Sequence, residues 1–163
     1  LVPYLQQLEM ESLGKSIDKE GTKVCYPTSG IIWGGSGFDA QHAYFQLLHQ
    51  GTDIVPTTFI EVLEDGSETN NLPVSSYTEE NIRAQADALA VGSPLNGFDG
   101  NRPSSILSVN GISPYNLGAF MALMEHKVFV QSVFWNLNCF DQPGVELGKR
   151  LLLSKTSNIN EEI

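Results

Sequence analysis

The sequence predicts one α/β domain built around a parallel sheet, and two features of the chain support that prediction. Short apolar runs typical of buried strands alternate with amphipathic segments long enough to form helices. Such alternation favours repeated strand–helix–strand crossovers, with helices covering the sheet. The length of 163 residues, with 41% hydrophobic and 17% charged side chains, fits one globular domain.

The first elements are predicted to be a helix, a strand and a second helix. The stretch VPYLQQLEM opens the chain as a helix, and a polar loop or hairpin follows it. The apolar GIIWGG, residues 30–35, is predicted to be a short buried strand that ends in glycines. The amphipathic DAQHAYFQLLHQG, residues 39–51, is predicted to be a helix with Asp39 as its N-cap and Gly51 beyond its end.

The middle of the chain predicts two strands joined by a helix. IVPTTFIEVL, residues 54–63, and SSILSVN, residues 104–110, have compositions typical of strands. Between them, the polar loop EDGSETNNLPVSS precedes YTEENIRAQADALAVG, residues 77–92, which is predicted to be a helix that ends at Gly92.

The last part of the chain predicts a helix, a strand and a final helix. Residues 113–129 carry strong helix signals, because Ser113 suits the N-cap and Pro114 the first helical position. The apolar VFWNLN, residues 133–138, is predicted to be a strand, and the residues after Gln142 a helix. The polar SKTSNINEEI that closes the sequence is expected to fray.

The charge and the cysteines narrow the class of protein. Nine basic and nineteen acidic residues give a formal net charge of −10, whereas a nucleic-acid partner would require a basic face. No apolar run is long enough to cross a membrane. The isolated Cys25 and Cys139 favour reduced thiols in the cytoplasm. The sequence has neither an initiator methionine nor a signal-peptide pattern, which suggests a fragment of a longer protein.

Histidines and a glycine-rich loop are the first candidates for a site. GGSGFDA lies between a predicted strand and helix but matches neither GxGxxG nor GxxxxGK[ST], so a phosphate cradle and a plain tight turn are about equally supported. His42, near the start of its helix, is a better functional candidate than His49 or His126, although a structural role is the default for each. His42 and His49 lie about 10 Å apart along a helix and cannot share a metal, so no metal site is predicted.

Glu11, Arg102 and Lys149 look ordinary when each is taken singly. A glutamate before a polar loop and a lysine on a helix are usually solvated side chains. Arg102 precedes a predicted strand, where its guanidinium can lie at the sheet edge or form a salt bridge.

Several stretches taken together resemble one known family. FDQPGVELGK, residues 140–149, fits the pattern aromatic-Asp-Gln-x-Gly-Val-Glu-x-x-Lys at every fixed position. Four further stretches match in order and spacing: MESLGK (10–15), WGGSGFDAQHAYFQLLHQGT (33–52), GNRPSS (100–105) and LGAFMALMEHKVFVQ (117–131). The chain therefore resembles the C-terminal part of the glucose-6-phosphate isomerase (phosphoglucose isomerase) family.

The resemblance implies roles for four residues. Glu11 falls on the family's catalytic base, His42 and Lys149 on its ring-opening residues, and Gln142 on a contact to the sugar phosphate. The implied reaction interconverts glucose 6-phosphate and fructose 6-phosphate by opening the ring and moving a proton between C2 and C1 through an enediol. A carboxylate suits that proton transfer, and an imidazole and an ammonium suit ring opening. The implied chemistry needs no metal and no organic cofactor.

The resemblance also implies a fold and an assembly. Residues 1–155 are expected to form a sugar isomerase (SIS) domain, a three-layer αβα sandwich around a five-stranded parallel sheet, followed by a polar tail over 156–163. The implied enzyme is a cytoplasmic homodimer, in which the active site takes its histidine from the neighbouring subunit.

The sequence departs from the family in several places. Relatives carry Thr-Asn-Gly where this chain has Phe38, Asp39 and Ala40, and the segments 64–73 and 93–99 and the variable position Pro143 also differ. The family's N-terminal domain supplies a phosphate loop and an arginine that this sequence lacks. We therefore expect the chain alone to bind substrate poorly and to turn over negligibly.

Two other interpretations stay open at this point. One is a non-catalytic SIS module that binds phosphosugars for regulation, and the other is a structural remnant that mediates dimerisation. Retention of Glu11, His42 and Lys149 argues against the regulatory module, because a binding module has no use for a base that removes a carbon-bound proton.

Overall fold

The computed structural model describes the backbone of residues 1–63 and 76–161, with side chains except those of residues 76–79 and 155–161. The helices and strands are α1 (Val2–Leu5, continued as a π-helix over Gln6–Glu11), α2 (Gly37–Gln50), β1 (Thr57–Leu63), α3 (Ser76–Val91), β2 (Ser104–Asn110), α4 (Pro114–Phe134) and α5 (Pro143–Glu161), with a 3₁₀ turn at Pro94–Asn96. The chain divides into two compact units. The central unit is Gly34–Ala122, and the terminal unit is Leu1–Trp33 together with the residues from Leu123 onward.

The central unit contains a parallel sheet, as the sequence predicts. β1 and β2 pair in parallel from Thr57 opposite Ser104 to Leu63 opposite Asn110. The helix α3 lies between the two strands in sequence and contacts both. This strand–helix–strand arrangement confirms the mixed α/β class.

The sheet buries one carboxylate, that of Glu61 on β1. The Glu61 side chain is fully buried, and it accepts hydrogen bonds from Arg83 Nη2 on α3 at 3.1 Å and from Ser108 Oγ on β2 at 2.5 Å. A buried carboxylate is tolerated only when it is paired in this way. Glu61 thereby links α3 to both strands.

The helix α2 begins two residues before its predicted start. Gly37 is its first residue and Ser36 its N-cap, so Asp39 lies in the first turn and the prediction that Asp39 is the N-cap was wrong. The predicted end is confirmed, since Gly51 is the C-cap. Arg102 Nη2 donates to Gly51 O at 2.8 Å and Nη1 to Asp53 O at 3.1 Å, so its guanidinium joins the end of α2 to the residues before β2.

The helix α3 ends as predicted, at the residue before Gly92. Gly92 has a φ of +66°, and a Cβ at this position would lie 2.3 Å from Gly100 N. Only glycine fits both the left-handed backbone and the close approach. The divergent segment 64–73 lies outside the described residues, as does the loop predicted between β1 and α3 except for its last residue, Ser76.

The prediction of a strand over GIIWGG was wrong. Residues 30–35 have no regular secondary structure, and Ile32 bonds to the first helix instead of to a strand. Gln6 Nε2 donates to Ile32 O at 2.9 Å, and Ile32 N lies 3.4 Å from the Met10 sulfur that accepts its hydrogen bond. Side chains of the first helix thus take the places that a neighbouring strand would occupy.

The prediction of a strand over VFWNLN was also wrong, because α4 continues through Phe134. A Schellman motif ends the helix: Leu137 N donates to Ser132 O at 2.8 Å and Asn136 N to Val133 O at 3.2 Å. Asn136 adopts the left-handed conformation that this motif requires, with a φ of 55°. Leu137 is fully buried, so its apolar character comes from core packing at a helix end.

These two corrections account for two of the three strands by which the sheet falls short of the expectation. Over residues 1–63 and 76–161 the sheet has two strands, not the five that were expected. The start of α4 is as predicted, since Asn116 N donates to Ser113 Oγ at 3.1 Å. The final helix is confirmed as α5, which extends into the expected polar tail as far as Glu161. No helix in the described part of the chain is both long enough and apolar enough to span a membrane.

Candidate active site

A pocket of about 260 Å³ lies in the terminal unit, between the end of the first helix and the start of α5. Two short segments line it: Met10, Glu11, Gly14 and Lys15 on one side, and Gln142, Pro143, Gly144 and Val145 on the other. We call these the Glu11 wall and the Gln142 wall. Each wall holds one residue that the sequence singled out for a role in the reaction.

Glu11 is the last residue of the π-helical stretch Gln6–Glu11. π-Helical turns occur frequently at functional sites. The Glu11 side chain is half-buried, and within residues 1–63 and 76–161 its carboxylate has no hydrogen bond or ion pair. A half-buried carboxylate that faces a pocket without a partner can accept a proton from a bound molecule.

Gly14 closes the Glu11 wall tightly against the helix. Its N–H donates to Met10 O at 3.0 Å, and a Cβ at Gly14 would lie 2.3 Å from that oxygen. The close approach turns the chain sharply after Glu11. It leaves Lys15 beside the pocket.

Lys15 and Asp141 form an ion pair at the edge of the pocket, with Nζ to Oδ1 at 2.9 Å. The hydrogen bond from Lys15, together with its positive charge, lowers the pKa of Asp141 below its ordinary value. Asp141 immediately precedes Gln142, so this ion pair joins the two walls of the pocket.

The Gln142 wall is the first turn of α5. Gln142 directly precedes the helix, and its exposed amide side chain belongs to the pocket lining. The N–H groups of a first turn have no partner within the helix, and that end of the helix carries partial positive charge. The wall therefore offers hydrogen-bond donors and favours a negatively charged ligand.

Lys149 lies further along α5 and is not one of the residues that line the pocket. Its Nζ pairs with Glu146 Oε1 at 2.9 Å, and both side chains are well exposed, 64% for Lys149 and 59% for Glu146. An exposed pair of this kind is worth only about 0–1 kcal/mol. The ammonium can therefore leave Glu146 at little cost.

His42 belongs to the central unit, where it lies near the start of α2 with its side chain exposed. The neighbouring Gln41 donates from Nε2 to Asn81 Oδ1 at 2.9 Å, which fixes α2 to α3. Two of the divergent residues precede His42. Phe38 is 64% exposed, and Asp39 Oδ2 accepts a hydrogen bond from Ser36 Oγ at 2.7 Å, so the Asp39 carboxylate is partly satisfied within its own turn.

His49 is placed as a structural residue, in line with the default for a lone histidine. Its ring contacts Phe45 and Phe98, with centroids 6.3 and 5.9 Å away. In the part of the chain that the structure describes, no cluster of three or more histidine, cysteine, aspartate or glutamate side chains is placed to hold a metal ion.

The sequence did not predict the role of Lys15 or its contact with Asp141. Both residues stand inside the two quoted motifs, MESLGK and FDQPGVELGK, but nothing in either motif pairs one with the other. The two residues are far apart in the chain, and only the folded structure brings them together. The one signal in the sequence is that Lys15 lies four residues after Glu11 and Asp141 directly before Gln142.

Comparison with known proteins places the whole chain in one family. The phosphoglucose isomerase family matches residues 1–162. The glucose-6-phosphate isomerase of Albidiferax ferrireducens is 49% identical over an alignment of 153 residues, and the match covers 91% of this chain and 29% of that protein. Glucose-6-phosphate isomerase 1 of Chromohalobacter salexigens is 50% identical over an alignment of 159 residues, and the match covers 93% of this chain and 28% of that protein. The chain thus spans less than a third of the length of these relatives.

A solved structure gives the same result at the level of the fold. The crystal structure of a glucose-6-phosphate isomerase from Chlamydia trachomatis superimposes with a TM-score of 0.81 at 43% identity, covering 98% of this chain and 32% of that one. A hypothetical protein from Thermus thermophilus is also similar, with a TM-score of 0.63 at 28% identity. The backbone described above is therefore one that occurs within a longer isomerase.

Proposed function

The chain belongs to the phosphoglucose isomerase family, and from this premise we propose that it is the C-terminal SIS domain of a glucose-6-phosphate isomerase. The domain covers residues 1–155, with 156–163 as its polar tail. The substrate is a sugar phosphate, glucose 6-phosphate or fructose 6-phosphate. The observation that carries the proposal is the pocket in which Glu11 and Gln142 line opposite walls.

Glu11 is the base that moves the proton between C2 and C1. Its carboxylate faces the pocket without a partner among the described residues, so it can accept a carbon-bound proton from one carbon and return it to the other. The intermediate is an enediol, in which negative charge develops on oxygen. The donors of the Gln142 wall suit that charge and the phosphate group.

His42 and Lys149 open the sugar ring in this proposal. Ring opening requires a proton at the ring oxygen and removal of one from the anomeric hydroxyl, which an ammonium and an imidazole can supply and accept. Lys149 must leave Glu146 to do so, and the exposure of that pair makes the exchange inexpensive. The exposed His42 acts in the active site of the neighbouring subunit of a homodimer.

The same proposal extends the observed sheet. β1, α3 and β2 form the repeating unit of an αβα sandwich, and in the whole protein we expect the sheet to reach five parallel strands. The whole protein would work in the cytoplasm, as a glycolytic enzyme.

The first test is a coupled isomerase assay on two proteins. One is this chain purified alone, and the other is a chimera in which this chain replaces the matching segment of the Chlamydia trachomatis isomerase. We expect negligible turnover from the chain alone, because it supplies only part of the site, and measurable turnover from the chimera.

Each contrary result overturns a specific part of the proposal. Robust turnover by the chain alone would show that it needs no further domain. A chimera that folds and binds glucose 6-phosphate but does not turn it over would instead indicate the regulatory sugar-binding module. A folded chimera that does neither would overturn the assignment of the substrate.

A further inference from the structure

The Lys15 ammonium is nearly buried, and all of its donors are used. The side chain is only 10% exposed. Its Nζ donates to Ser12 O at 3.0 Å, to Asn138 O at 2.5 Å and to Asp141 Oδ1 at 2.9 Å. An ammonium has three protons, so Lys15 has none left for a bound substrate. Its role must come from what it holds together.

The partners of Lys15 form a small closed network. The second carboxylate oxygen of Asp141 accepts from Asn138 Nδ2 at 2.9 Å. The side-chain oxygen of Asn138 accepts in turn from Phe140 N at 3.1 Å. The loop 138–141 is therefore folded on itself around the ammonium. Because the hydrogen bond from Lys15 lowers the pKa of Asp141, its carboxylate stays charged to a lower pH than that of an unpaired aspartate.

Lys15 is also tied to its own side of the pocket. Its bond to Ser12 O satisfies a carbonyl at the end of the first helix, directly after Glu11. Thr28 Oγ1 donates to Lys15 O at 2.9 Å. One end of the network is therefore fixed to the Glu11 wall and the other to the residue before Gln142.

The Lys15–Asp141 ion pair differs from the Lys149–Glu146 pair of the same length in how far its lysine is exposed to solvent. Lys149 and Glu146 also lie 2.9 Å apart, but they are 64% and 59% exposed and belong to adjacent turns of one helix. Lys15 is 10% exposed and connects two segments that are distant in sequence. Loss of the Lys149–Glu146 pair leaves both groups in water. Loss of the Lys15 ammonium removes a donor from two carbonyls and from the Asp141 carboxylate, which is 51% exposed and keeps its bond from Asn138.

We propose that Lys15 is a positioning residue for the isomerase reaction: through Asp141 and Asn138 it sets the distance between the Glu11 carboxylate and the Gln142 wall. This inference rests on the proposed function. A base must lie within hydrogen-bond reach of the carbon-bound proton, and a displacement of about 1 Å can cost about a hundredfold in rate. The network fixes the two walls before substrate binds.

The activity test compares two lysine-to-methionine variants in the chimera. Lys15→Met removes the contacts from Lys15 to Ser12, Asn138 and Asp141, which we call the Lys15 clamp. Lys127→Met is the matched control, since Lys127 pairs with the largely buried Glu9 at 2.7 Å in the same unit but does not line the pocket. We expect Lys15→Met to lower kcat about 10- to 100-fold at saturating substrate. Lys127→Met should lower the melting temperature while leaving kcat within about twofold of the parent.

A double-mutant comparison tests the partner. Asp141→Asn should lower kcat by no more than Lys15→Met does, and the combination should be little worse than Lys15→Met alone, because both changes weaken the same contact between Lys15 and Asp141. Additive losses would show that the two residues act independently. That result would overturn the clamp.

A thiol provides a readout that does not depend on activity. Cys139 is free and half-buried within the loop 138–141, and the exposed Cys25 can be replaced by serine. In the isolated Cys25→Ser chain, we expect Lys15→Met to raise the rate at which a disulfide reagent labels Cys139 about fivefold or more, because the loop opens. Lys127→Met should leave that rate within about twofold.

The two readouts separate the possible failures. An inactive parent chimera contradicts the proposed function, and the labelling rate still decides whether Lys15 holds the loop. If Lys15→Met leaves the labelling rate unchanged, the clamp does not exist. If the loop opens but kcat falls no more than in Lys127→Met, Lys15 is a structural residue only and the positioning role is wrong.

Discussion

At the residue scale, the candidate site depends on which side chains are already engaged. Lys15 and Asp141 are held by each other and by Asn138, and Lys149 by an exposed glutamate. Glu11 faces the pocket with no such partner in the part of the chain that the structure describes. The residue with an unengaged carboxylate is thus the one that the proposed chemistry requires to exchange a proton.

Replacing Glu11 by glutamine tests that role, because glutamine keeps the shape and loses the base. In the chimera, Glu11→Gln should reduce deuterium exchange at C2 of the substrate by about a thousandfold, within the usual range for a general base. Exchange can be followed by NMR in deuterated buffer. Glu125→Gln is the control, since Glu125 Oε1 accepts a hydrogen bond from the Tyr4 hydroxyl at 3.4 Å and Glu125 does not line the pocket. Exchange that persists in folded Glu11→Gln would falsify the assignment of the base.

At the scale of the elements, helix ends position the functional segments. The π-helical stretch ends at Glu11, and α5 begins directly after Gln142. In the central unit, α3 ends at Val91, and the chain turns at Gly92 before it reaches β2. Such ends depend on a few residues whose backbone or size admits no substitute.

Gly92 offers a test of this dependence. In Gly92→Ala, the left-handed backbone costs about 1–2 kcal/mol, and the clash of the new methyl with Gly100 N at 2.3 Å should raise the total loss in free energy of unfolding to about 3 kcal/mol or more. Gly97→Ala is the matched control: its φ is +81°, but its Cβ would meet only the flexible end of Gln50, at 3.4 Å. Urea denaturation measures both variants. Equal losses would show that backbone strain, and not the close approach, makes Gly92 necessary.

At the scale of the whole molecule, charge is the dominant global property. With a formal net charge of −10, the charged side chains of the molecule on balance repel one another. Against this, the described residues form four ion pairs, one of which, Lys149 with Glu146, is exposed at both ends. We therefore expect the repulsion to outweigh the attractive pairs that added salt would weaken.

Salt should accordingly stabilise the isolated chain at neutral pH. Raising NaCl from about 0.02 to about 0.5 M shortens the screening length severalfold and should raise the melting temperature by roughly 2–5 °C. Calorimetry or circular dichroism gives the value. The control is the same titration near pH 4.5, the isoelectric point, where the increase should vanish. A melting temperature that falls with salt at pH 7 would mean that the attractive pairs dominate.

The sequence by itself determined the α/β class, several of the helix ends and the candidate residues. Helix ends were predictable because local chemistry decides them, as at Ser113, Gly51 and Gly92. The stretches GIIWGG and VFWNLN were mispredicted because an apolar run does not specify what it packs against. The first bonds to side chains of the opening helix, and the second ends α4.

Only the tertiary structure decided which charged side chains form ion pairs. Lys15 and Asp141 stand at opposite ends of the sequence, and no local pattern pairs a buried ammonium with a distant carboxylate. The same holds for Glu61, which lies in a strand that the sequence predicts but is buried only because Arg83 and Ser108 reach it. Local propensities act between residues that are only a few positions apart in the chain, and they decide where helices and strands form. Desolvated polar contacts form between segments, so only the folded chain determines them.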